Sequence, residues 1–173
     1  MRADAHRLIG GEVALAASLP HLTQNPSWES AAATVLLCVA GCGLGDLPDI
    51  DTHIGQPHRG WTHAWSVAAL VGLVLSQIVA LRWPELSWTV FWACSGAMAS
   101  HGLVDLVNTT GVALFWPIPG RIRGPLARWG WVLESSDTEK TVERYVQLAV
   151  PPLLLVGWPM WLWPHLHHIL AAR

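Results

Sequence analysis

Long apolar stretches, separated by short clusters of acids and histidines, constrain this chain more than any other feature. Hydrophobic residues make up 52% of the 173 positions, and charged residues only 13%. A bilayer core of about 30 Å needs about 20 helical residues, and several of the stretches reach that length. Because a backbone in lipid must satisfy its own hydrogen bonds, such stretches form helices. The pattern predicts an all-α, polytopic helical membrane protein with four to five transmembrane helices.

Five apolar segments are the candidate helices. The last three are long enough to cross a bilayer. The first two are short, and Glu12 interrupts the first, so either could be tilted, partly re-entrant or buried by its neighbours. We expect a single integral membrane domain over residues 1–173, with a cytoplasmic loop at about 108–144. The segments run roughly from Leu8 to Leu22, Ala31 to Gly45, Ala64 to Leu81, Leu86 to Val107 and Tyr145 to Leu162.

Tryptophan and basic residues predict the orientation in the membrane. Many of the twelve tryptophans lie near the segment ends, as in an interfacial aromatic belt. With five spans and the N-terminus inside, only Arg82 and Arg173 of the basic residues fall on the outer side. Basic residues favour the cytoplasmic side, so we expect a multi-pass protein of the cell inner membrane. The net charge of −2 gives no electrostatic case for a nucleic-acid partner.

Three clusters carry most of the residues that could do chemistry. They read L-P-D-I-D-T (47–52), H-R-G-W-T-H (58–63) and H-G-L-V-D (101–105). In the predicted orientation all three lie at the cytoplasmic face, together with His6 near the N-terminus. Carboxylates and imidazoles at the ends of apolar helices indicate a metal site at a membrane surface.

The spacing of His101 and Asp105 predicts that they act together. Residues four apart share one face of a helix, about one turn from each other. The two side chains can therefore grip one ion, and a bridging carboxylate could serve two. A buried, hydrogen-bonded pair that binds no metal is the alternative.

The acids of the first cluster follow a proline. Pro48 disfavours a helical conformation at Leu47, so we expect the second helix to end before the acids. Asp49 and Asp51 would then point to opposite sides of an extended chain, one ligating metal and the other orienting a ligand or a water. Helix caps or turns formed by these side chains are the alternative. His53, further along, could be a ligand, but we expect an exposed loop residue.

The second cluster combines two histidines with an arginine. His58 and His63 are five residues apart, so one helix cannot present both to one ion. We therefore expect a loop that leads into a helix start, with both rings turned inward. Arg59 has a fork geometry suited to phosphate or another oxyanion, although a lipid-headgroup contact is the alternative. Thr109 and Thr110, after the third cluster, are predicted to bind substrate oxygens or simply to end the helix.

These residues form one predicted site. Its ligand set exceeds what one four-coordinate zinc needs, so we expect roughly one to three divalent ions, with zinc favoured. Asp51 is the candidate base or orienting group, and Arg59 acts with it on the substrate. The chain has no H-E-x-x-H and no G-x-S-x-G, which argues against a zincin protease and a serine hydrolase. The predicted metal ligands are His6, Asp49, His58, His63, His101 and Asp105.

In combination and in order, these motifs resemble the YdjM/YbcI-type family of inner-membrane metal-dependent hydrolases. The resemblance rests on His6 with Gly10 and Gly11, L-P-D-I-D, H-R-G-W-T-H, S-H-G-L-V-D and T-T-G-V-A-L-F-W-P ending at Pro117. It implies a polytopic inner-membrane protein with metal-dependent hydrolase activity, without fixing a substrate. The short link D-T-H-I-G-Q-P departs from members with longer insertions. The histidine and acid pattern is also similar to that of zinc-dependent phospholipase C and P1-type nucleases, which implies phosphoesters.

The sequence as a whole predicts a membrane-bound, metal-dependent hydrolase. Its expected target is a phosphoester or related bond of a lipid or membrane-proximal substrate. Two alternatives remain open: a transporter or metal-handling protein, and a non-catalytic scaffold in which metal only pins the helices. The segment 117–144, rich in Arg, Gly and Pro, could cover the site or dock a protein partner.

Overall fold

The computed structural model describes residues 3–107 and 111–123, and this part of the chain is helical. One isolated antiparallel bridge joins Val112 and Ile122, and the described residues form no strand beyond it. The α-helices are α1 (Ala3–Gln24), α2 (Trp28–Asp46), α3 (Ile50–His53), α4 (Trp65–Ala80) and α5 (Ser87–Val104). Short 3-10 helices occupy Leu47–Asp49, Trp61–His63, Pro84–Leu86 and Asp105–Val107.

The all-α prediction is confirmed for this part of the chain. The first four apolar segments correspond to α1, α2, α4 and α5. The fifth, Tyr145 to Leu162, and most of the predicted loop 108–144 lie outside the described residues. Within the described ranges, one helical stretch, Trp28–His53, is long and apolar enough to cross a bilayer, judged by length and composition. Four to five spans therefore remains a prediction.

The chain does not become extended at the first acidic cluster, so that prediction was wrong. Leu47 has φ −57° and ψ −36°, and Pro48 lies in the first turn of the 3-10 helix Leu47–Asp49. A proline ring is compatible with a helical start, where its missing N–H would have no partner anyway. Helical structure therefore continues from α2 through the acids into α3. As a result Asp51 is buried while Asp49 remains partly exposed.

Glycines bring α1 and α2 into backbone contact. A Cβ added to Gly10 would lie 2.4 Å from the carbonyl oxygen of Gly41. A Cβ on Gly45 would lie 2.3 Å from the carbonyl oxygen of His6. Small residues four apart on a helix permit such approaches, as in packed membrane helices. The contact places His6 directly against the end of α2.

Helix α5 packs against α1, α2 and α4 and completes the bundle of described helices. The fully buried core consists of Ala14 from α1 with Ala93 and Ala97 from α5. Gly72 of α4 lies against Ser95 of α5, where a Cβ would collide with the serine hydroxyl. This packing brings the C-terminal end of α5 beside the end of α2 and the turn before α4.

Large apolar side chains face outward on three helices. Leu36 on α2 is 69% exposed, and Leu70 and Ile78 on α4 are similarly open. Trp88 and Trp92 are exposed on α5. Surfaces of this kind, extended over several helices, are suited to contact with lipid rather than water.

Candidate metal centre

Four potential ligand atoms converge at one end of the bundle. There α2 and α5 end, and the turn Trp61–His63 leads into α4. One atom from each of Asp49, His63, His101 and Asp105 lies within 4.8 Å of all the others. The Nε2 atom of His101 is 3.2 Å from Oδ1 of Asp49. The Nε2 atom of His63 is 3.4 Å from Asp49 Oδ1 and 3.4 Å from Asp105 Oδ2. We call these four residues the acceptor cluster.

The tautomer of His101 is set by the backbone. Its Nδ1 lies 2.6 Å from the carbonyl oxygen of Gly45, which can only accept a hydrogen bond. Nδ1 therefore carries the hydrogen, and the neutral ring presents a lone pair at Nε2. That Nε2 is buried and has no hydrogen-bond partner in the described structure.

His63 is oriented in the same sense by a threonine. The Thr62 hydroxyl donates to Oδ2 of Asp51 over 3.1 Å and lies 3.0 Å from Nδ1 of His63. Because the hydroxyl hydrogen is used on Asp51, Nδ1–H of His63 donates to the threonine oxygen. The Nε2 atom of His63 then also offers a lone pair to the acceptor cluster, again with no hydrogen-bond partner among described residues.

The acceptor cluster therefore needs positive charge at its centre. Two imidazole lone pairs face two carboxylate oxygens, an arrangement that repels unless a proton or a cation lies between them. Burial alone lowers the pKa of His63, but the neighbouring Asp105 and Asp49 carboxylates outweigh it and raise that pKa above its ordinary value. Imidazole nitrogens and carboxylate oxygens are ligands for zinc, which displaces such protons when it binds. The donor set fits a divalent metal ion.

Asp51 accepts hydrogen bonds from His58, Arg59 and Thr62, and we call these four residues the donor network. Its Oδ2 accepts the backbone N–H of Arg59 at 2.9 Å as well as the Thr62 hydroxyl. Its Oδ1 lies 3.0 Å from Nδ1 of His58. Asp51 is fully buried, so it holds His58 and, through Thr62, His63 in place. This position favours the orienting role predicted for Asp51 over that of a base, which must reach water.

Arg59 contributes both backbone and side chain. Its φ of 60° is in the left-handed region, which non-glycine residues seldom adopt, and this turns its N–H toward Asp51. Its Nε donates to Oδ2 of Asp105 over 3.0 Å. The guanidinium thus lies beside the acceptor cluster, and its predicted contact with substrate stays a prediction. The predicted substrate-binding residues Thr109 and Thr110 lie outside the described residues.

The remaining predicted ligands flank the acceptor cluster. His6 is buried with its ring stacked on that of His101, at 3.7 Å between centroids, and its Nε2 is 3.7 Å from Asp105 Oδ1. His58 is partly exposed, with Nδ1 3.7 Å from Asp49 Oδ1. Asp51, His58 and His63 form a second group with metal-ligand spacing, although Asp51 already accepts three hydrogen bonds. The structure brings all seven predicted acids and histidines together at one end of the bundle.

Residues 111–123 brace the loop that carries His58 and Arg59. The Ala113 N–H donates to the Arg59 carbonyl at 3.3 Å, and Arg121 donates to the His58 carbonyl at 3.4 Å. Val112 and Leu114 are buried beneath this contact. Sequence reasoning assigned this segment to a loop and missed its bracing role, which the alternation of buried apolar residues could have indicated.

An open cleft of about 560 Å³ lies beside the metal centre. Asp49 is the member of the acceptor cluster that lines it, with its side chain 29% exposed. Arg7 and Asp46, paired at 2.8 Å, line the same cleft, as does His53. Sequence reasoning assigned no role to this pair, although Arg7 directly follows a predicted ligand. His53 is exposed as predicted, but it ends α3 instead of lying in a loop.

Gly45 is a further residue that the sequence analysis missed. Its carbonyl orients His101, and its missing side chain lets His6 approach. The signal that could have found it is the spacing of Gly41 and Gly45, four apart before the first acidic cluster.

Comparisons with known proteins agree with the resemblance drawn from the motifs. The family model described as "YdjM inner membrane protein" matches residues 1–163. The chain is similar to "Inner membrane protein YdjM" of Escherichia coli (strain K12), with 28% identity over 188 residues covering 95% of this chain and 84% of the relative. The protein of the same name from Shigella flexneri is similar to the same extent. No solved structure matches the chain.

Proposed function

This chain belongs to the family of YdjM inner membrane proteins, and we propose that it is a membrane-bound, metal-dependent hydrolase. Its target would be a phosphoester or related bond of a lipid or membrane-proximal substrate. The location in the inner membrane follows from the family. We further propose several spans with the site at the cytoplasmic face, on the strength of the distribution of basic residues.

One observation carries this proposal: the acceptor cluster is oriented for metal and opens on a cleft. His63, His101 and Asp105 are buried, whereas the Asp49 side chain is 29% exposed and lines the cleft. A metal that only pins helices would be fully enclosed by protein ligands, while a catalytic metal keeps one side open to substrate. Four protein ligands would complete a tetrahedral zinc, so a catalytic metal here needs a further coordination position on the side that faces the cleft. The exposure of Asp49 to the cleft supports such a position.

The chemistry follows from the residue types. A divalent metal held by Asp49, His63, His101 and Asp105 would supply Lewis acidity and make water nucleophilic at neutral pH. Asp51 keeps His58 and His63 oriented through its three hydrogen bonds. Arg59 balances the negative charge of Asp105, and in this proposal it also contacts a substrate oxyanion.

The clustering of acids and histidines also bears on the transporter alternative. In the described ranges the seven predicted acids and histidines gather at one end of the bundle, Glu12 lies within α1, and α4 contains no ionisable residue. An ion path across the bilayer would need polar groups along the length of the spans. A hydrolytic site at one membrane surface does not need polar groups along the spans.

The test combines metal analysis with hydrolysis. Wild-type protein in detergent, Asp49→Asn and the control Glu85→Gln would be loaded with zinc, dialysed and analysed for metal. The same samples would be assayed against phosphomonoesters, phosphodiesters and phospholipids, with and without chelator. Glu85 is exposed in the 3-10 helix Pro84–Leu86 and has no part in the site.

We expect wild type and Glu85→Gln to hold metal and to hydrolyse a phosphoester in a chelator-sensitive way, and Asp49→Asn to lose both. Undiminished metal in Asp49→Asn would remove this residue from the ligand set. Metal binding without hydrolysis of any ester in the panel would overturn the proposed activity.

A further inference from the structure

An exposed apolar stripe follows one face of the helical stretch Trp28–His53 and its last turn. Its members are spaced alternately four and three residues apart, which keeps them on one side of a helix. The opposite face of the same stretch, including Thr34, Gly41 and Asp51, is buried against the bundle. The apolar stripe consists of Leu36, Ala40, Gly43, Leu47, Ile50 and Ile54, all of them exposed in the described structure.

The apolar stripe leads directly into the cleft beside the metal centre. Gly43, Leu47 and Ile50 belong to the stripe and also line the cleft. Asp49 and His58 line its other side, where the acceptor cluster lies. The cleft is therefore amphipathic, apolar toward the length of α2 and charged toward the metal centre.

Gly43 lines the cleft without a side chain that would fill it. A Cβ added at Gly43 would meet none of the described residues within 4 Å, whereas one at Gly41 or Gly45 would collide with α1. Helix packing thus accounts for Gly41 and Gly45 but not for Gly43. A glycine without a packing reason, on the wall of a cleft, leaves room for something that is not part of the helix bundle.

We propose that the substrate is a phospholipid that enters sideways from the bilayer, with an acyl chain on the apolar stripe and its headgroup phosphate in the cleft. This inference rests on the proposed hydrolase function and names its substrate class. An amphiphile matches both ends of the cleft, because its chain covers Leu47 and Ile50 while its phosphate faces the metal centre. A protein helix laid along the whole stripe would leave the charged end without a partner.

Arg7 supports a phosphate at the charged end. Its guanidinium lines the cleft, its side chain is 55% exposed, and it donates to Asp46 from both Nε and Nη2. A guanidinium held in place by a carboxylate presents its remaining N–H groups in a fixed direction, which suits phosphate oxygens. A neutral lipid such as diacylglycerol would gain nothing from this contact.

The binding test uses the full chain in vesicles of phosphatidylethanolamine and phosphatidylglycerol. A small fraction of the phosphatidylglycerol would carry a photoactivatable diazirine in its acyl chain, and labelled residues would be mapped by mass spectrometry. A diacylglycerol probe with the same diazirine serves as the headgroup control. The variants are Gly43→Leu, which fills the cleft without a clash, and Ala69→Leu, which adds the same side chain to an exposed position on α4.

We expect the phosphatidylglycerol probe to label Leu47 and Ile50 severalfold more than Leu70 and Ile78, the lipid-facing references on α4. Gly43→Leu should reduce the labelling of Leu47 and Ile50 severalfold with the metal content unchanged, and Ala69→Leu should not. Equal labelling on both helices, no effect of Gly43→Leu, or equal labelling by diacylglycerol would overturn the proposal. An intrachain crosslink from position 47 to residues 145–162 would do the same, because the chain itself would then cover the stripe.

A hydrolysis arm separates failure of this inference from failure of the proposed function. The same samples would be offered phosphatidylglycerol in vesicles and a water-soluble bis-nitrophenyl phosphate. Preferential lipid labelling that Gly43→Leu abolishes, with neither ester hydrolysed, would keep the lipid site and refute the hydrolase. Chelator-sensitive hydrolysis of the soluble diester, without preferential labelling, would keep the hydrolase and refute the lipid site.

Discussion

Asp49 and Asp51 lie two residues apart at the end of one helical stretch, yet their surroundings are opposite in kind. Asp51 is buried among donors: a backbone N–H, a hydroxyl and an imidazole N–H. Asp49 faces the Nε2 lone pairs of His63 and His101, and its Oδ1 has no hydrogen-bond partner in the described structure. A carboxylate surrounded by donors has its hydrogen bonds complete, whereas one surrounded by acceptors is stabilised only when a proton or a cation binds between them.

The contrast separates stability from metal binding. The donor network should stabilise the protein with or without metal, since its hydrogen bonds are complete. The acceptor cluster should destabilise the metal-free protein at a pH above the raised pKa of His63. Below that pKa a proton on His63 stabilises the cluster, and metal must displace it. Three substitutions and a change of pH distinguish the two groups by their effects on metal affinity and on stability.

Asp49→Asn should cause the largest loss of metal affinity, at least about 100-fold, because it removes a charged ligand atom. At a pH above the raised pKa of His63, the metal-free variant should be as stable as metal-free wild type or more stable, since the amide can donate to Nε2 of His101. Metal titration and thermal unfolding in detergent with chelator measure the two effects. A destabilised metal-free variant would contradict the assignment of Asp49 to the acceptor cluster.

Asp51→Asn should behave in the reverse way. Replacing Oδ1 by an NH₂ group removes the buried charge that accepts these hydrogen bonds and forces His58 to change its tautomer. This should lower the free energy of unfolding by about 2–4 kcal/mol even without metal. Metal affinity should fall less than in Asp49→Asn, by about 10–100-fold, because Asp51 acts by orienting His58 and His63. Chemical unfolding with chelator present, beside metal titration, gives both values. Equal metal loss in the two variants would erase the distinction between the two carboxylates.

Thr62→Val tests the link between the donor network and the acceptor cluster. It removes the hydroxyl that donates to Asp51 and accepts from Nδ1 of His63, at nearly constant volume. We expect about a tenfold loss of metal affinity, because the His63 tautomer is no longer imposed. Thr62→Ser keeps the hydroxyl and is the matched control, which should retain near wild-type affinity. Loss of affinity in Thr62→Ser as well would point to packing rather than to the hydrogen bonds.

The smallest effect expected is that of acidification by about half a pH unit. The pKa of His63 is raised above its ordinary 6.5 by Asp105 and Asp49, so the ring takes up a proton at a higher pH than a free histidine. Metal must displace that proton, and its affinity should therefore fall as the pH drops through the raised pKa, by at most about tenfold per pH unit. Metal titrations between pH 8 and 6, with circular dichroism to verify folding, measure the slope. A flat profile would mean that His63 does not bind the metal.

Much of the site could be predicted from the sequence because its residues have few other uses in an apolar chain. His101 and Asp105 are four apart, and helical periodicity alone places them on one side. The grouping of three distant clusters followed from an orientation argument, and the structure brings the same residues together. The extended geometry predicted at Leu47 failed, because the steric restriction before a proline is a tendency that a 3-10 turn can satisfy in another way.

Residue types and their spacing were sufficient to predict apolar helices, a membrane protein, and acids and imidazoles suited to a divalent metal. These follow from residue type and local spacing. Which carboxylate faces donors and which faces lone pairs is a property of the folded chain. That choice depends on the carbonyl of Gly45 and the hydroxyl of Thr62, whose directions are set by helix packing and loop geometry rather than by any local pattern.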